Sequence, residues 1–367
     1  MIDDTRSIEK FKKETFCGYK KTDVYKALFK SIDSKKYEES CNWLVECIVS
    51  GYTIDIWEKL CIYASKRIHI NNIDLPIYIY KKNKLFYNIV NKHNCGKNKE
   101  NILLLRNNET IKNLMASLIY LLISSEKDII VKSTKLKQSD FNITILQKKL
   151  KSTHTLLPDN FIHMNEPDEL KMILNEIYFH LQNFKYGYDK VIFWIDWLLK
   201  WEKLNKNMHW DIDERNELVD KKYRSDIIWM IWNIIHLQKS KKSKTIINNI
   251  NSLYHLYLHN YTKTKKSVRL PYLYNSVALL TYENKPTRLV KDMLGYIQIQ
   301  INIDQIFKLK NIHSVVDKNN VVNKIKQEIQ NKEKQMSKKK KKEDPKMEQI
   351  NNKLDAFNEL NSKLFDI

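Results

Sequence analysis

Residues 35–65 read KKYEESCNWLVECIVSGYTIDIWEKLCIYAS, and this stretch indicates the fold class. Before Gly51, apolar residues recur at intervals of three and four, which places side chains on one face of an α-helix. The members of this stripe are Tyr37, Cys41, Leu44, Val45 and Ile48. Glycine commonly follows a helix C-terminus, and Thr53 can cap a second helix. We therefore predict one helix over about 35–50 and another from 53, joined at Gly51.

The same periodicity extends through most of the chain. The further predicted helices cover about 22–32, 110–124, 168–184, 188–204, 215–238, 243–259, 271–281, 286–309, 319–336 and 346–365. The Ile-Ile-Val run at 129–131 could form a short strand, but one strand without a partner makes no sheet. We predict an all-α, multi-helix fold in which one helical domain is followed by a second helical bundle.

Glycine is unusually scarce in this chain, with only five residues in 367, at positions 18, 51, 96, 187 and 295. Glycine is the residue that lets a backbone adopt positive φ and approach a phosphate closely. Because these glycines are scattered singly, neither a Walker loop nor a GxGxxG fingerprint can be formed, and no GxSxG elbow occurs. We therefore predict that the protein is not an enzyme and uses no cofactor.

Cysteines and histidines give no metal signature. The cysteines, odd in number and without a CxxC pair, are Cys17, Cys41, Cys47, Cys61 and Cys95. Zinc sites usually pair their ligands at short spacing, so we expect reduced thiols in an intracellular protein and no metal. His236, His255 and His259 could be ligands, but the HExxH pattern is absent.

The chain also lacks a membrane signature. Its first residues have no basic segment followed by an apolar one, so no signal peptide is expected. The longest apolar run, residues 114–123, is shorter than the roughly 20 residues that span a bilayer. We therefore expect no membrane partner.

The charge balance is strongly basic, with 64 Lys and Arg against 43 Asp and Glu and a formal net charge of +21. Such an excess favours an anionic partner such as nucleic acid, an acidic protein or an anionic membrane surface. An alternative stays open, because the abundance of Lys, Asn and Ile is typical of an A/T-rich genome, in which lysine accumulates without a functional purpose.

Basic residues concentrate in four clusters that we predict to contact nucleic-acid phosphates. The first three are Lys221, Lys222 and Arg224; Lys239, Lys241, Lys242 and Lys244; and Lys263, Lys265, Lys266 and Arg269. The fourth is the run Lys338, Lys339, Lys340, Lys341 and Lys342. If the helices between them are antiparallel neighbours, successive clusters lie at alternate ends and need not share a face. Lysine rather than arginine indicates binding without sequence specificity.

Aromatic residues recur at helical spacing in two predicted helices, as Trp194, Trp197 and Trp201 and as Trp229, Trp232 and His236. They could form a stacking platform for nucleic-acid bases. Because their neighbours are apolar as well, we favour a buried stripe in the core. Asp196 on the same helix is either solvent-facing or paired, with Lys200 as its expected partner.

The N-terminal third resembles the helical collar region of clamp-loader-like AAA+ ATPases, such as the bacterial replication-associated recombination factor and the Werner-helicase-interacting ATPase. The similar segments are 25–32 (YKALFKSI), 39–44 (ESCNWL), 47–52 (CIVSGY), 57–60 (WEKL), 62–65 (IYAS) and 113–121 (NLMASLIYL). A fainter similarity covers 285–296, KPTRLVKDMLGY. Where the family has an acidic pair after Ala-Ser, this chain has Lys66-Arg67.

This resemblance implies a helical fold and a role in assembly around DNA, but no ATP site, because the family's ATPase module has no counterpart in these segments. A lone collar-like chain of this composition is what we expect of a large DNA virus, acting in the host cytoplasm or nucleus. We divide the chain into an N-terminal extension (1–20), a collar-like domain (21–125), an irregular connection (126–166), a Trp-rich helical domain (167–310), a basic linker (311–345) and an amphipathic helix (346–367).

The sequence thus predicts a non-enzymatic accessory or scaffold protein that binds DNA phosphates in replication, recombination or genome packaging. Self-association or a protein partner is also expected. The alternative is a purely structural helical scaffold or virion protein without a nucleic-acid role.

Overall fold

The computed structural model describes residues 2, 4–127, 134–164, 166–182, 187–204, 212–282 and 293–315. The predicted strand at 129–131, the predicted helices at 319–336 and 346–365, and most of the segment 285–296 lie outside these ranges.

Across these ranges the chain folds into thirteen α-helices with short 3-10 turns and one π-helical turn between them. The helices are Lys21–Asp33 (α1), Tyr37–Val49 (α2), Thr53–Tyr63 (α3), Leu75–Lys92 (α4), Glu109–Ser124 (α5), Ile143–Lys149 (α6), Asp168–Gln182 (α7), Gly187–Leu204 (α8), Ile228–Lys239 (α9), Lys244–Leu258 (α10), Lys263–Val268 (α11), Leu270–Thr281 (α12) and Met293–Val315 (α13). A single β-bridge pairs Glu14 with Lys20. The predicted all-α fold is confirmed. None of the described helices is both long enough and apolar enough to cross a bilayer.

The chain forms two compact units, and neither is contiguous in sequence. The first combines the described residues within 1–61, 84–124 and 290–367, and the second combines those within 62–83 and 125–289. The predicted division, in contrast, used contiguous segments. The difference arises partly because α13 packs against α2 and α5, which end 244 and 169 residues before α13 begins.

The N-terminal residues belong to the core of the first unit rather than forming an extension. Phe11 and Phe16 are buried, and the Arg6 guanidinium lies 4.8 and 4.7 Å from their ring centroids. Arg106, itself buried, donates to the backbone oxygen of Asp4 at 2.8 Å. These contacts place residues 4–16 within the same packed body as α2.

Gly51 joins α2 to α3, as predicted, in a backbone conformation and a space that favour glycine. Its φ is +77°, a region that glycine enters at little cost. A Cβ atom there would lie 2.7 Å from Ile8 Cδ1 and 2.8 Å from Leu103 Cδ2. The predicted cap at Thr53 was wrong, because Thr53 is the first residue of α3 and its buried hydroxyl makes no hydrogen bond.

A buried ion pair holds α13 against α2 in the first unit. Lys310 Nζ lies 2.5 Å from Glu46 Oε2, and both side chains are almost fully buried. The other carboxylate oxygen of Glu46 accepts from the backbone N–H of Cys17 at 2.8 Å. The proximity of Lys310 lowers the pKa of Glu46 in spite of burial, and Glu46 raises the pKa of Lys310, so the pair is ionised.

The second unit is built around aromatic side chains. Trp194, Trp229, Trp232 and Tyr257 are almost completely buried, and Trp197 is nearly so. The Trp197 indole donates to the backbone oxygen of Asp140 at 2.8 Å. The core interpretation of the two tryptophan stripes is therefore confirmed, since four of the five indoles have no face to offer a base.

The predicted helix over 215–238 was wrong in its first half, because α9 begins only at Ile228. Asp226 accepts from the Ile228 N–H at 3.1 Å and so satisfies a donor at the helix start. Upstream, the backbone N–H of Arg215 bonds to the oxygen of Arg224, which folds this segment into a loop. Lys221, Lys222 and Arg224 therefore precede the helix instead of opening it.

Candidate nucleic-acid interface

The three described basic clusters lie at two opposite ends of the antiparallel pair formed by α9 and α10. Two of them, 221–224 and 263–269, share the end where α9 begins and α10 finishes. The Tyr223 and Tyr261 rings, 5.8 Å apart between centroids, connect the two segments. The third cluster lies at the other end, about 22 Å away along the fifteen residues of α10.

At the shared end, two of the predicted phosphate ligands are committed to internal contacts. Lys266 Nζ is 2.6 Å from a carboxylate oxygen of Glu202 and 2.6 Å from one of Asp226. Arg269 is buried and donates to the backbone oxygens of Tyr257 and His259. These contacts do not favour Lys266 and Arg269 as phosphate ligands, because two carboxylates and the backbone oxygens at the end of α10 already accept their donors.

Acidic residues further weaken this end as an anion site. Arg224 pairs with Glu214 at 3.1 Å. The segment 211–220, which leads into Lys221, carries five carboxylates, namely Asp211, Asp213, Glu214, Glu217 and Asp220. Lys221, Lys222 and Lys263 are exposed, and the first two directly follow this acidic segment in the sequence.

The opposite end carries what we call the basic turn, residues 239–244 (KSKKSK) between α9 and α10. Lys241 and Lys244 are exposed, while Lys239 and Lys242 are partly buried. Lys239 Nζ donates to the amide oxygen of Asn251, and Lys241 Nζ lies 3.4 Å from the Tyr178 hydroxyl. These contacts of Lys239 and Lys241 are thus with neutral groups, and no carboxylate among the described residues pairs with either ammonium.

The electrostatics of the basic turn favour an added anion. Burial lowers the pKa of Lys239 and Lys242, which means that their ammonium groups are less well solvated than in water. An anion beside them would offset that penalty. The sequence shows why carboxylates are scarce around this turn: the stretch from Ile227 to Tyr282 contains eight Lys and Arg and no Asp or Glu. Counting acidic as well as basic residues in the sequence around each cluster would have ranked this turn above the other clusters as a candidate phosphate-binding site.

The fourth basic cluster, Lys338–Lys342, lies outside the described residues, and its predicted phosphate contacts stay a prediction.

Among the three histidines considered as metal ligands, His236 is surrounded by aromatic rings. His236 is largely buried between aromatic rings, 4.5 Å from the Tyr254 ring centroid, and burial lowers its pKa to about 4. In the described parts of the chain, the residues whose ligand atoms do cluster are His163, Glu166 and Asp213. Glu166, however, is held by Arg215 through both carboxylate oxygens, so a cation would have to displace a guanidinium.

Asp196 is paired, but not with Lys200 as predicted. It accepts from the Tyr274 hydroxyl and, at 2.6 Å, from the backbone N–H of Thr134, and burial raises its pKa. Lys200 is exposed on the rim of a small cleft of about 230 Å³ that Asp196 also lines. Both carboxylate oxygens of Asp196 are therefore engaged, and the helix geometry brings Tyr274 rather than the i+4 lysine within reach.

The described cysteines are free thiols, and burial raises the pKa of Cys17, Cys41, Cys47 and Cys95. Burial raises the pKa of Cys17 to about 11 and that of Cys41 to about 12. A thiol with a raised pKa is a poor nucleophile and a poor metal ligand at neutral pH.

Comparison with known proteins gives no relative: no family model matches the chain, and no match is found among curated proteins or solved structures.

Proposed function

We propose that this protein is a non-enzymatic accessory factor that binds the phosphate backbone of DNA without sequence specificity, and that the basic turn is its contact surface. The observation that carries the proposal is the basic turn, where four lysines, two of them exposed, lie on one helix–helix connection that contains no acidic residue. The resemblance of residues 17–125 to a clamp-loader collar supports a role beside DNA in replication, recombination or genome packaging.

The chemistry of the turn supports contact with phosphates rather than with base edges. Lysine is a compact point charge on a flexible stem, whereas specific contacts to guanine need the planar fork of arginine. Binding of this kind releases counterions, so the affinity falls linearly with salt on a double logarithmic plot, with a slope of about −0.9 per phosphate neutralised on duplex DNA.

The test compares two triple variants that change the net charge equally. The first replaces Lys241, Lys242 and Lys244 with Gln, and the matched control replaces Lys221, Lys222 and Lys263 at the opposite end. Lys239 is left intact because its bond to Asn251 is internal. Binding of a labelled duplex is followed by fluorescence anisotropy between about 50 and 200 mM salt.

We expect the basic-turn variant to lose about two to three units of salt slope, because three phosphate contacts disappear. The control should keep the slope of the parent protein. Equal losses in both variants, or binding that does not respond to salt, would contradict the proposal.

A second candidate function, self-association as a scaffold, is favoured by the outer face of α13. This helix buries Ile299, Ile303 and Phe307 on one side. On the other side it exposes Leu294, Ile297, Ile301 and Leu309. An apolar stripe on both faces is typical of a helix with a partner on each.

The scaffold candidate is tested by measuring the mass of the protein in solution over a range of concentrations. Association through α13 predicts that Ile297→Lys with Ile301→Lys yields a monomer, whereas Leu104→Lys, also at an exposed leucine of the first unit, leaves the association unchanged. A parent protein that is monomeric at every concentration would remove this candidate.

A further inference from the structure

From the basic turn, a continuous line of polar and aromatic side chains runs along the outer face of α10. Lys244, Asn248, Asn251 and His255 follow one another at steps of four, three and four residues, which places them on one face of the helix. Lys244, Asn248 and His255 are exposed, and Asn251 is partly so. This face has no carboxylate along about 16 Å of helix.

The line ends at a stacked pair of aromatic rings. The imidazole of His255 and the phenol ring of Tyr80 lie 5.1 Å apart between centroids, with their planes 13° from parallel. His255 is exposed and Tyr80 is partly exposed. Unlike the four buried tryptophans of this unit, these two rings meet solvent. Their near-parallel stacking is the geometry in which a further ring can add to the pair.

Positive charge accompanies these rings on α4 as well as on α10. Lys82 Nζ lies 5.5 Å from the ring centroid of Tyr78, which is partly exposed, and Lys81 beside it is exposed. Interleaved aromatic rings and lysines are the two components by which proteins bind single strands: the lysines follow the backbone, and the rings stack on unpaired bases. A duplex cannot use the rings, because its bases are already stacked inside.

We propose that the outer face of α10 binds single-stranded nucleic acid, with phosphates at the basic turn and an unpaired base stacked on the His255–Tyr80 pair. This inference rests on the proposed function, since it takes the basic turn as the phosphate contact. It adds the strand type and the side chains that distinguish single strands from duplexes.

The test measures Kd by fluorescence anisotropy for a labelled single strand and for a duplex of the same length. The variants are Tyr80→Leu, which removes the ring, Tyr80→Phe, which keeps it, and His255→Ala. Tyr37→Leu, at an exposed tyrosine of the first unit, is the matched control. Circular dichroism and the thermal midpoint establish that each variant is folded.

We expect Tyr80→Leu and His255→Ala to weaken single-strand binding about 5- to 150-fold, the range for loss of one base–aromatic stack. Tyr80→Phe and Tyr37→Leu should bind single strands like the parent, and no aromatic variant should change duplex binding. Equal effects on both strand types, or none from either ring, would overturn the inference while leaving the basic turn in place. A parent protein that binds neither strand would instead refute the proposed function.

Discussion

His236 shows how one side chain can make the stability of this protein depend on pH. The ring lies among Trp232 and Tyr254, its Nδ1 atom is buried without a hydrogen-bond partner, and burial lowers its pKa to about 4. Lys239 and His255 add positive charge nearby and lower this pKa further. The imidazole therefore has to be neutral in the folded protein.

We predict that acidification destabilises the fold through His236. In the unfolded chain its pKa returns to about 6.5, so the unfolded state takes up the proton first and stability falls as the pH decreases from about 6.5 towards 4. Between pH 7 and pH 5 the free energy of unfolding should fall by about 2 kcal/mol from this residue. Urea unfolding at the two pH values measures it.

The matched variant for this experiment is His236→Phe, which keeps an aromatic ring in the same site but cannot be protonated. Its unfolding free energy should change less between pH 7 and pH 5 than that of the parent, by the same 2 kcal/mol or so. An unchanged pH dependence in this variant would show that His236 is not buried as a neutral ring.

At the scale of elements, the attachment of α13 to α2 rests on the Glu46–Lys310 pair. Removing one partner of a buried ion pair leaves the other charge unpaired and typically costs about 3–5 kcal/mol, whereas replacing both with neutral groups of similar size is often tolerated. We predict this large loss for Lys310→Met. The double variant Glu46→Gln with Lys310→Met should recover much of it.

A urea-unfolding double-mutant cycle over these variants measures the coupling free energy of the pair. Lys308→Met, at an exposed lysine of the same helix, is the control and should lie within about 0.5 kcal/mol of the parent. Additive effects of the two single substitutions would contradict the assignment of a direct buried pair.

The helices themselves could largely be predicted from the sequence, because their stripes depend on neighbours only three or four residues away. The prediction failed where distant residues decide the structure. The loop before α9 depends on Glu166, nearly fifty residues upstream, holding Arg215. Similarly, nothing near Lys310 reveals that it is buried, since its partner is 264 residues away.

In the candidate interface, too, the features that depend on nearby residues could be predicted and those that depend on distant residues could not. The lysine clusters could be listed from the sequence. The internal contacts of Lys266 and Arg269 could not be predicted, because they depend on Glu202, on Asp226 and on the end of α10. The tryptophans are conspicuous in the sequence because they are numerous. The stacked pair proposed to bind a base is instead Tyr80 and His255, which lie on helices far apart in the sequence and come together only in the fold.

At the scale of the whole molecule, the question is whether its net charge of +21 or its local arrangement governs binding to a polyanion. If lysine accumulated through codon bias alone, any three exposed lysines would contribute equally. If the basic turn is the contact surface, position matters, and ionic strength separates the two cases because it sets the range of electrostatic interactions.

The two triple Lys→Gln variants provide this measurement when Kd is compared at low and at physiological salt. At about 10 mM salt the screening length is about 30 Å, longer than the roughly 22 Å between the two ends of α10, so both variants should bind more weakly than the parent. At about 150 mM it is about 8 Å, and only the variant at 241, 242 and 244 should remain weakened. Equal weakening of both variants at 150 mM would mean that binding follows the overall charge of the protein and that the basic turn has no special role.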